Sequence, residues 1–232
     1  MSMEKLNREG VKTILMPFGF KIVGVVLFFL AAGRLNIYRG WLFFGLDFIG
    51  VLVISIVFWK LVPGLANERA TIKEGTKPWD KIILAFFFFV SLFLFTIVAG
   101  LDVGRFQWSM LPIPYAIVGV LLYVLSVALG CWAIVVNRFF ELSVRIQKDR
   151  GHTVITGGPY RHIRHPGYLS MILGFLGASF IIGSAWSLIP SGVIIIAVLI
   201  RTRLEDRTLH EELDGYREYA SRVRWRLLPG IW

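Results

Sequence analysis

Residues 82–101 read IILAFFFFVSLFLFTIVAGL, a run of twenty residues without a charge. A helix of about 20 apolar residues is long enough to cross roughly 30 Å of hydrocarbon. Residues 112–136 are equally free of charge, and further apolar stretches lie on both sides of this pair. The chain of 232 residues is 56% hydrophobic and only 17% charged, which is too apolar for a soluble domain. The sequence therefore indicates a polytopic membrane protein.

Six apolar segments are candidate membrane helices, although the first carries Lys21 and the second carries Asp47. Residues 166–200 contain no charge, and as one helix they would run about 52 Å, too long for a single crossing. Gly183 and Pro190 offer a break, so we expect two short helices there. The predicted fold is an all-α bundle of about six transmembrane helices with the last two as a hairpin. The segments are Ile14–Ala32, Trp41–Trp59, Ile82–Leu101, Pro112–Val136, Tyr168–Ile182 and Ala185–Ile200.

Basic residues are distributed unevenly across this topology. Of the 25 lysines and arginines, 21 fall on the side that holds both termini, and only Arg34, Arg39 and Arg105 fall on the other. Because such residues concentrate on the cytosolic side, we predict a multi-pass membrane protein with both termini cytosolic. The net charge is +10, but the basic residues lie between apolar runs rather than on one solvated face. No nucleic acid partner is therefore expected. A single cysteine, Cys131, provides neither a disulfide framework nor a zinc cluster, and we predict no metal site.

Polar residue types that suit a binding site are concentrated in residues 137–165, NRFFELSVRIQKDRGHTVITGGPYRHIRH. Gly157-Gly158-Pro159 predicts a tight turn. Pro166 follows His165, and because proline suits the first helical position, we expect it to open the fifth helix. The unpaired N–H groups at such a helix start, together with the helix dipole, favour a bound carboxylate or phosphate. The alternative is that His165 only caps this helix.

Two other cytosolic segments carry weaker signals. Residues 62–81 mix charges of both signs and are typical of a solvated connector. After the last apolar segment, Arg201 and Glu205 are four residues apart on one helix face, with Leu209 in line, which alone indicates no more than a surface ion pair. A later apolar stripe predicts an amphipathic helix along the membrane surface; its members are Leu213, Tyr216, Tyr219 and Ala220.

Together these motifs resemble the isoprenylcysteine carboxyl methyltransferase family, membrane methyltransferases related to the phospholipid methyltransferases. The resemblance rests on GHTVITGGPYRHIRHPGYL at 151–169, RTRLEDRTL at 201–209 and DGYREYASRVRWRLLPGI at 214–231. It implies a methyltransferase core over residues 137–232, formed by the cytosolic loop, the hairpin and a C-terminal amphipathic helix, with a cofactor pocket on the cytosolic side. Residues 1–136, which show only hydrophobicity, would form a four-helix transmembrane part.

The resemblance implies S-adenosyl-L-methionine as the cofactor and a lipophilic or prenylated substrate that enters from the membrane. It gives the substrate-side, catalytic role to Arg201. Asp206, at the family's second acidic position, is a mild departure from the pattern. The implied cofactor-binding residues are Gln147, His152, Thr153, Val154, Ile155, Tyr160, His165, Pro166, Gly167, Tyr168 and Glu205.

The implied reaction is methyl transfer to the carboxylate of a lipid-like or isoprenylcysteine-type acceptor. A carboxylate is ionised at neutral pH and needs alignment rather than a base, and the planar fork of Arg201 suits it. N-methylation of a phospholipid amine is an alternative; it requires a base, for which His152, His162 and Glu205 are candidates. A non-catalytic transport or scaffold protein is a further alternative, but transporters usually place more ionisable residues at membrane depth.

The charge asymmetry predicts the outcome of thiol labelling in intact cells. A cysteine introduced as Arg105→Cys should react with a membrane-impermeant reagent, whereas His152→Cys should not, because position 152 faces the cytosol. The mass shift of the purified protein measures the labelling, and the unsubstituted chain with its single Cys131 is the control. Labelling at position 152 but not at position 105 would show that the topology is the inverse of the predicted one.

Overall fold

The computed structural model describes residues 5–232, which form helices and contain no strand, so the predicted all-α fold is confirmed. The first four residues of the predicted N-terminal part lie outside the described residues. The helices are α1 (Arg8–Ala32), α2 (Tyr38–Lys60), α3 (Pro63–Arg69), α4 (Pro78–Phe106), α5 (Ile113–Val136), α6 (Pro166–Ile182), α7 (Leu188–Glu212) and α8 (Tyr216–Arg222).

Four of these helices, α1, α2, α4 and α5, are long and apolar enough to cross a membrane. Large apolar side chains on their outer faces are exposed, as at Leu30 and Ile113, which fits a hydrocarbon environment better than water. Helices α6 and α7 form the predicted hairpin, whose turn begins at Gly183 with a φ of +85°. Helix α7 extends to Glu212, well past the predicted end at Ile200. The number of six membrane crossings stays a prediction.

The two charged residues within the first two spans form a pair. Lys21 Nζ on α1 lies 2.9 Å from Asp47 Oδ2 on α2. The Tyr123 hydroxyl on α5 donates to Asp47 Oδ1 at 2.7 Å. Ionisable groups at membrane depth are costly unless they are paired and face the interior of the bundle. The pairing therefore explains how both spans accommodate a charge, and it links α1, α2 and α5.

Three arginines lie on the side opposite to the termini, and each of them caps a helix end. Arg105 Nε donates to Ala31 O, in the last turn of α1, at 2.9 Å. Arg39 Nε donates to Ile181 O, in the last turn of α6, at 2.7 Å. Arg34 donates in the same way to the last turn of α4. Cations suit the C-terminal ends of helices, where carbonyl groups lack intrahelical partners. These arginines therefore have a structural role on the side opposite to the termini.

A buried carboxylate joins the two helical turns on that side. Asp102, near the end of α4, accepts hydrogen bonds from Ser109 N at 2.7 Å and Ser109 Oγ at 2.6 Å. From the α6–α7 turn it accepts Ser184 Oγ at 2.5 Å and Trp186 N at 3.3 Å. A buried carboxylate is tolerated when its oxygens are hydrogen-bonded. This cluster fixes the hairpin against the α4–α5 connection.

Helices α5 and α6 cross with their backbones in near contact. A Cβ at Gly119 would lie 2.7 Å from Ile181 N, and a Cβ at Gly177 would lie 2.8 Å from Gly119 O. Small residues allow membrane helices to approach this closely. The crossing fixes the C-terminal part of α6 against the start of α5.

We expect Asp102→Asn to lower the free energy of unfolding by about 1–3 kcal/mol, because an amide nitrogen replaces an acceptor and leaves a buried donor unpaired. Thermal unfolding in detergent measures the change. Asp214→Asn, at an exposed carboxylate, is the matched control and should stay within about 0.5 kcal/mol of the parent. Equal losses in both variants would contradict the role of Asp102.

Candidate active site

A cavity of about 340 Å³ lies at the cytosolic end of the hairpin, on the predicted topology. Its walls come from the 137–165 loop, from the starts of α4 and α6 and from the second half of α7. Ten of the eleven predicted cofactor-binding residues line it, and Arg201 lines it as well. The exception is Pro166, which is buried as the first residue of α6 and opens that helix as predicted. One space therefore brings together motifs that are more than 50 residues apart in the chain.

The glycine-proline turn positions Tyr160. Gly158 has a φ of +53°, and a 3₁₀ turn over Gly158–Arg161 follows, which confirms the predicted tight turn. The Tyr160 hydroxyl accepts from Asn137 Nδ2 at 3.0 Å, and the Tyr160 carbonyl accepts from the Tyr219 hydroxyl at 2.7 Å. Burial raises the pKa of Tyr160, so its phenol remains protonated. The ring is a fixed part of the cavity wall.

Residues 153–155 form an extended wall of the cavity. No backbone N–H group of this stretch donates a hydrogen bond within the described residues. The preceding residue, His152, packs against Phe139 at a ring-centroid distance of 4.5 Å and accepts from Gln147 N at 3.3 Å. The Gln147 side chain donates to Phe139 O at 2.7 Å and accepts from Arg150 Nη1 at 2.7 Å. Gln147 therefore fixes the loop, while the backbone N–H groups of residues 153–155 have no hydrogen-bond partner within the described residues.

One face of α7 provides the opposite wall. Arg201, Glu205 and Leu209, which the four-residue spacing places in line, all line the cavity. Arg201 and Glu205 do not pair with each other in the structure. Instead the Tyr168 hydroxyl donates to Glu205 Oε2. His165 stacks on Tyr168 at 5.7 Å, with its Nδ1 3.9 Å from Glu205 Oε1. The spacing alone indicated a surface ion pair between Arg201 and Glu205, and this prediction is wrong.

Arg201 instead forms a buried pair with Asp80, a residue that no sequence motif indicated. Arg201 Nε lies 2.7 Å from Asp80 Oδ1, and Arg201 Nη2 lies 3.2 Å from Asp80 Oδ2 and 2.6 Å from Leu142 O. Asp80 has no exposed surface and also accepts from Val144 N at 2.7 Å. The edge of the Arg201 guanidinium that carries Nε and Nη2 is therefore occupied by hydrogen bonds within the protein.

The 62–81 segment is not a solvated connector, contrary to expectation. Lys77 N donates to Val144 O at 3.0 Å, and the hydroxyls of Thr76 and Ser143 lie 3.0 Å apart. Lys77 Nζ also pairs with Glu212 at 2.6 Å, at the end of α7. The segment runs along the 137–165 loop, and its Arg69 lines the cavity. The charged composition of this segment does not predict these contacts, because they depend on partners that are distant in the chain.

Asp206, a mild departure from the family pattern, holds several segments together beside the smaller cavity. It accepts from Arg164 at 2.8 and 2.9 Å, from Arg226 at 2.8 Å and from the Tyr216 hydroxyl at 2.9 Å, and it lies 3.1 Å from His165 Nε2. Burial acts to raise the pKa of Asp206, but the hydrogen bonds from His165, Arg164 and Arg226 outweigh it and hold the pKa well below its usual range.

The apolar stripe of α8 faces the protein, which corrects the expectation of a membrane-surface helix. Leu213, Tyr216 and Tyr219 are buried against Ile146 and Val154 of the 137–165 loop. Burying the rings against this loop satisfies the Tyr216 and Tyr219 hydroxyls with protein acceptors. A short helix of seven residues therefore closes the cavity rather than lying on lipid.

A second, larger cavity of about 850 Å³ opens between α1, α2, α4, α5 and α6. It is lined mainly by apolar side chains, with the Lys21–Asp47 pair in its wall. The two cavities adjoin, because the same eight residues line both. These are Ile54, Arg69, Phe87, Phe88, Ile134, Leu142, Ser170 and Met171.

Residues 114–214 match the family model of the phospholipid methyltransferases. The matched segment runs from α5 to the end of α7 and includes every residue predicted for the site. The resemblance to membrane methyltransferases stated from the motifs is therefore confirmed over this segment. The match supports a membrane methyltransferase.

Other comparisons add little. A solved structure of the eukaryotic intramembrane Ras methyltransferase ICMT (isoprenylcysteine carboxyl methyltransferase) is similar to this chain. The match has 17% sequence identity and a TM-score of 0.46 and covers 97% of this chain and 99% of that chain. No curated protein matches the chain.

The environment of His152 predicts a pH effect on stability. Burial and the neighbouring Arg145 and Arg150 lower the pKa of His152 to about 4 from 6.5. Between these pH values the unfolded chain binds a proton that the folded chain does not, so stability falls as the pH decreases through this window. We expect His152→Gln to lose less stability on acidification, measured as the change in unfolding temperature from about pH 7 to about pH 5.

His162→Gln is the matched control, since His162 is exposed and lies outside the cavity lining. It should retain the pH dependence of the parent. If His152→Gln also retained it in full, protonation of His152 would not contribute to acid destabilisation.

Proposed function

We propose that this protein is an S-adenosyl-L-methionine-dependent membrane methyltransferase that acts on the carboxylate of a lipid-like or isoprenylcysteine-type acceptor. The observation that carries the proposal is the contact between the two cavities. The smaller one holds the polar motif residues, and the larger one is apolar and lies among the membrane helices. A lipophilic acceptor can thus keep its tail in the larger cavity while its polar end reaches the smaller.

The polar groups of the smaller cavity suit this cofactor. Its volume of about 340 Å³ is within the range of small-molecule sites. The unpaired backbone donors at 153–155 can bind the adenine or the carboxylate, the rings of Tyr160 and Tyr168 can pack on adenine or on the sulfonium, and Glu205 can accept from the ammonium. The other motif residues position these groups: Gln147 and His152 fix the loop, Pro166 and Gly167 begin α6, and His165 orients towards Asp206.

When bound, S-adenosyl-L-methionine supplies an electrophilic methyl group, and its transfer to a carboxylate oxygen breaks an S–CH₃ bond and forms an O–CH₃ bond. The protein's task is to hold the two partners in line and to exclude water, which accounts for much of the rate in such reactions. Arg201 contributes by position: Asp80 and Leu142 fix its guanidinium at the cavity wall, beside the ring of Tyr168 at 5.3 Å. No base is needed for a carboxylate acceptor.

N-methylation of a phospholipid amine is the second candidate, and the family match over residues 114–214 favours it. It requires a group that removes a proton from an ammonium. His152 lines the cavity but is a weak base, because its pKa is lowered to about 4. His162 is exposed and does not line the cavity, and Glu205 already accepts from Tyr168. These features favour an acceptor that is already deprotonated at neutral pH, as a carboxylate is.

Purified protein should transfer radiolabelled methyl groups from S-adenosyl-L-methionine to a long-chain thioether acid, such as dodecylthioacetic acid, and not to dodecylamine or phosphatidylethanolamine. Extraction of labelled lipid measures transfer. S-adenosylhomocysteine should raise the unfolding temperature of the protein. Transfer to the amines alone would establish the second candidate, and absence of both binding and transfer would exclude a methyltransferase.

The Glu205→Gln variant tests whether Glu205 contacts the cofactor. Loss of a charge-assisted hydrogen bond should weaken S-adenosylhomocysteine binding about 10- to 100-fold, measured by calorimetry. Glu218→Gln, at an exposed glutamate on α8, is the matched control and should bind as the parent does. Equal affinities for all three proteins would remove Glu205 from the cofactor site.

A further inference from the structure

Four arginines line the smaller cavity, and three of them are neutralised by carboxylates. Arg145 pairs with Glu141 at 2.9 Å, and Arg164 pairs with Asp206 at 2.8 Å. Arg201 pairs with Asp80 at 2.7 Å. These three arginines have a structural role, because each is buried and its charge is neutralised by a carboxylate of the protein.

The fourth arginine, Arg69 at the end of α3, differs from the others. No ion pair among residues 5–232 includes it. Its only hydrogen bond within the described residues runs from Nη1 to Phe140 O. Its guanidinium carbon lies 5.4 Å from the ring centre of Phe58 and 5.2 Å from that of Phe140. A guanidinium has five N–H donors, so most of its capacity is unused.

Arg69 also lies at the junction of the two cavities, since it lines both. Burial lowers the pKa of Arg69 to about 10, with Glu141 opposing the shift and Arg201 adding to it. It is therefore still cationic at neutral pH. A half-buried cation among aromatic rings, with free planar donors, is favourable mainly when an anion binds to it.

We propose that Arg69 binds the carboxylate of the methyl acceptor at the junction of the two cavities. This inference rests on the proposed function and extends it: a residue outside the motifs recognises the polar end of the acceptor. The acceptor's tail would lie in the larger cavity, and its carboxylate would lie on the guanidinium, facing the smaller cavity. Arg201, one face of which is committed to Asp80, is then a positioning residue for Tyr168 and the cavity wall.

The test compares an acid with its methyl ester, which differ in charge but hardly in shape. Dodecylthioacetic acid and its methyl ester are titrated into detergent-solubilised protein at neutral pH without cofactor, and binding is measured by calorimetry. The parent should bind the acid about 10- to 100-fold more tightly than the ester, the range expected for charge-assisted hydrogen bonds. Arg69→Gln should bind both alike, because it keeps the ester contacts and loses those to the carboxylate.

Arg69→Lys and Arg161→Gln complete the set. The lysine variant keeps the charge without the planar fork, so it should show a reduced preference for the acid, and it decides the question if Arg69→Gln does not fold. Arg161 is exposed and lies outside both cavity linings, so Arg161→Gln should keep the full preference.

S-adenosylhomocysteine binding is measured in parallel and should be unchanged in the Arg69 variants. Acid preference retained in Arg69→Gln, or absent from the parent, would overturn the role of Arg69. So would a loss of S-adenosylhomocysteine affinity equal to the loss of acid affinity. Because the acid and ester titrations contain no cofactor, failure of S-adenosylhomocysteine to bind would count against the proposed function alone.

Discussion

The arrangement around the smaller cavity depends on the carboxylate of Asp206. It is almost completely buried, and it accepts hydrogen bonds from two arginines and a tyrosine and lies beside a histidine. Arg164, which donates to Asp206 through two nitrogens, also donates to the carbonyls of Val223 and Arg224 at 2.8 Å. A buried charge is stable only with such complete compensation. The start of α6, the end of α7, α8 and the C-terminal segment are thereby held in one arrangement around the cavity.

Charge pairing also defines what the cavity can bind. Asp80 and Glu141 neutralise cations that would otherwise face the ligand, and the Tyr168 hydroxyl leaves Glu205 with one oxygen unused by hydrogen bonds within the described residues. The remaining unpaired cation, Arg69, lies where polar and apolar spaces meet. In a low-dielectric site an unpaired charge attracts an opposite charge more strongly than it would in water. The arrangement is compatible with the proposed acceptor, an amphiphile whose polar end is anionic.

On the opposite side, arginines and a carboxylate have purely architectural roles. Arg39 and Arg105 satisfy carbonyls at helix ends, and Asp102 ties the hairpin turn to the α4–α5 connection. The smaller cavity is therefore built on a hairpin that is fixed at its far end. The close crossing of α5 and α6 at Gly119 and Gly177 fixes it along its length. Rigid support of this kind is what in-line transfer requires.

The sequence by itself determined the helices, the hairpin and the motif that opens α6, because these depend on local hydrophobicity and on the backbone preferences of glycine and proline. It also indicated which loop carries the site. Only the tertiary structure decided the partner of Arg201, which is 121 residues away in the chain, the packing of α8 on the loop, and the isolation of Arg69. Pairings between distant charged residues leave no local pattern, since each charge is compatible with water until the fold removes the water.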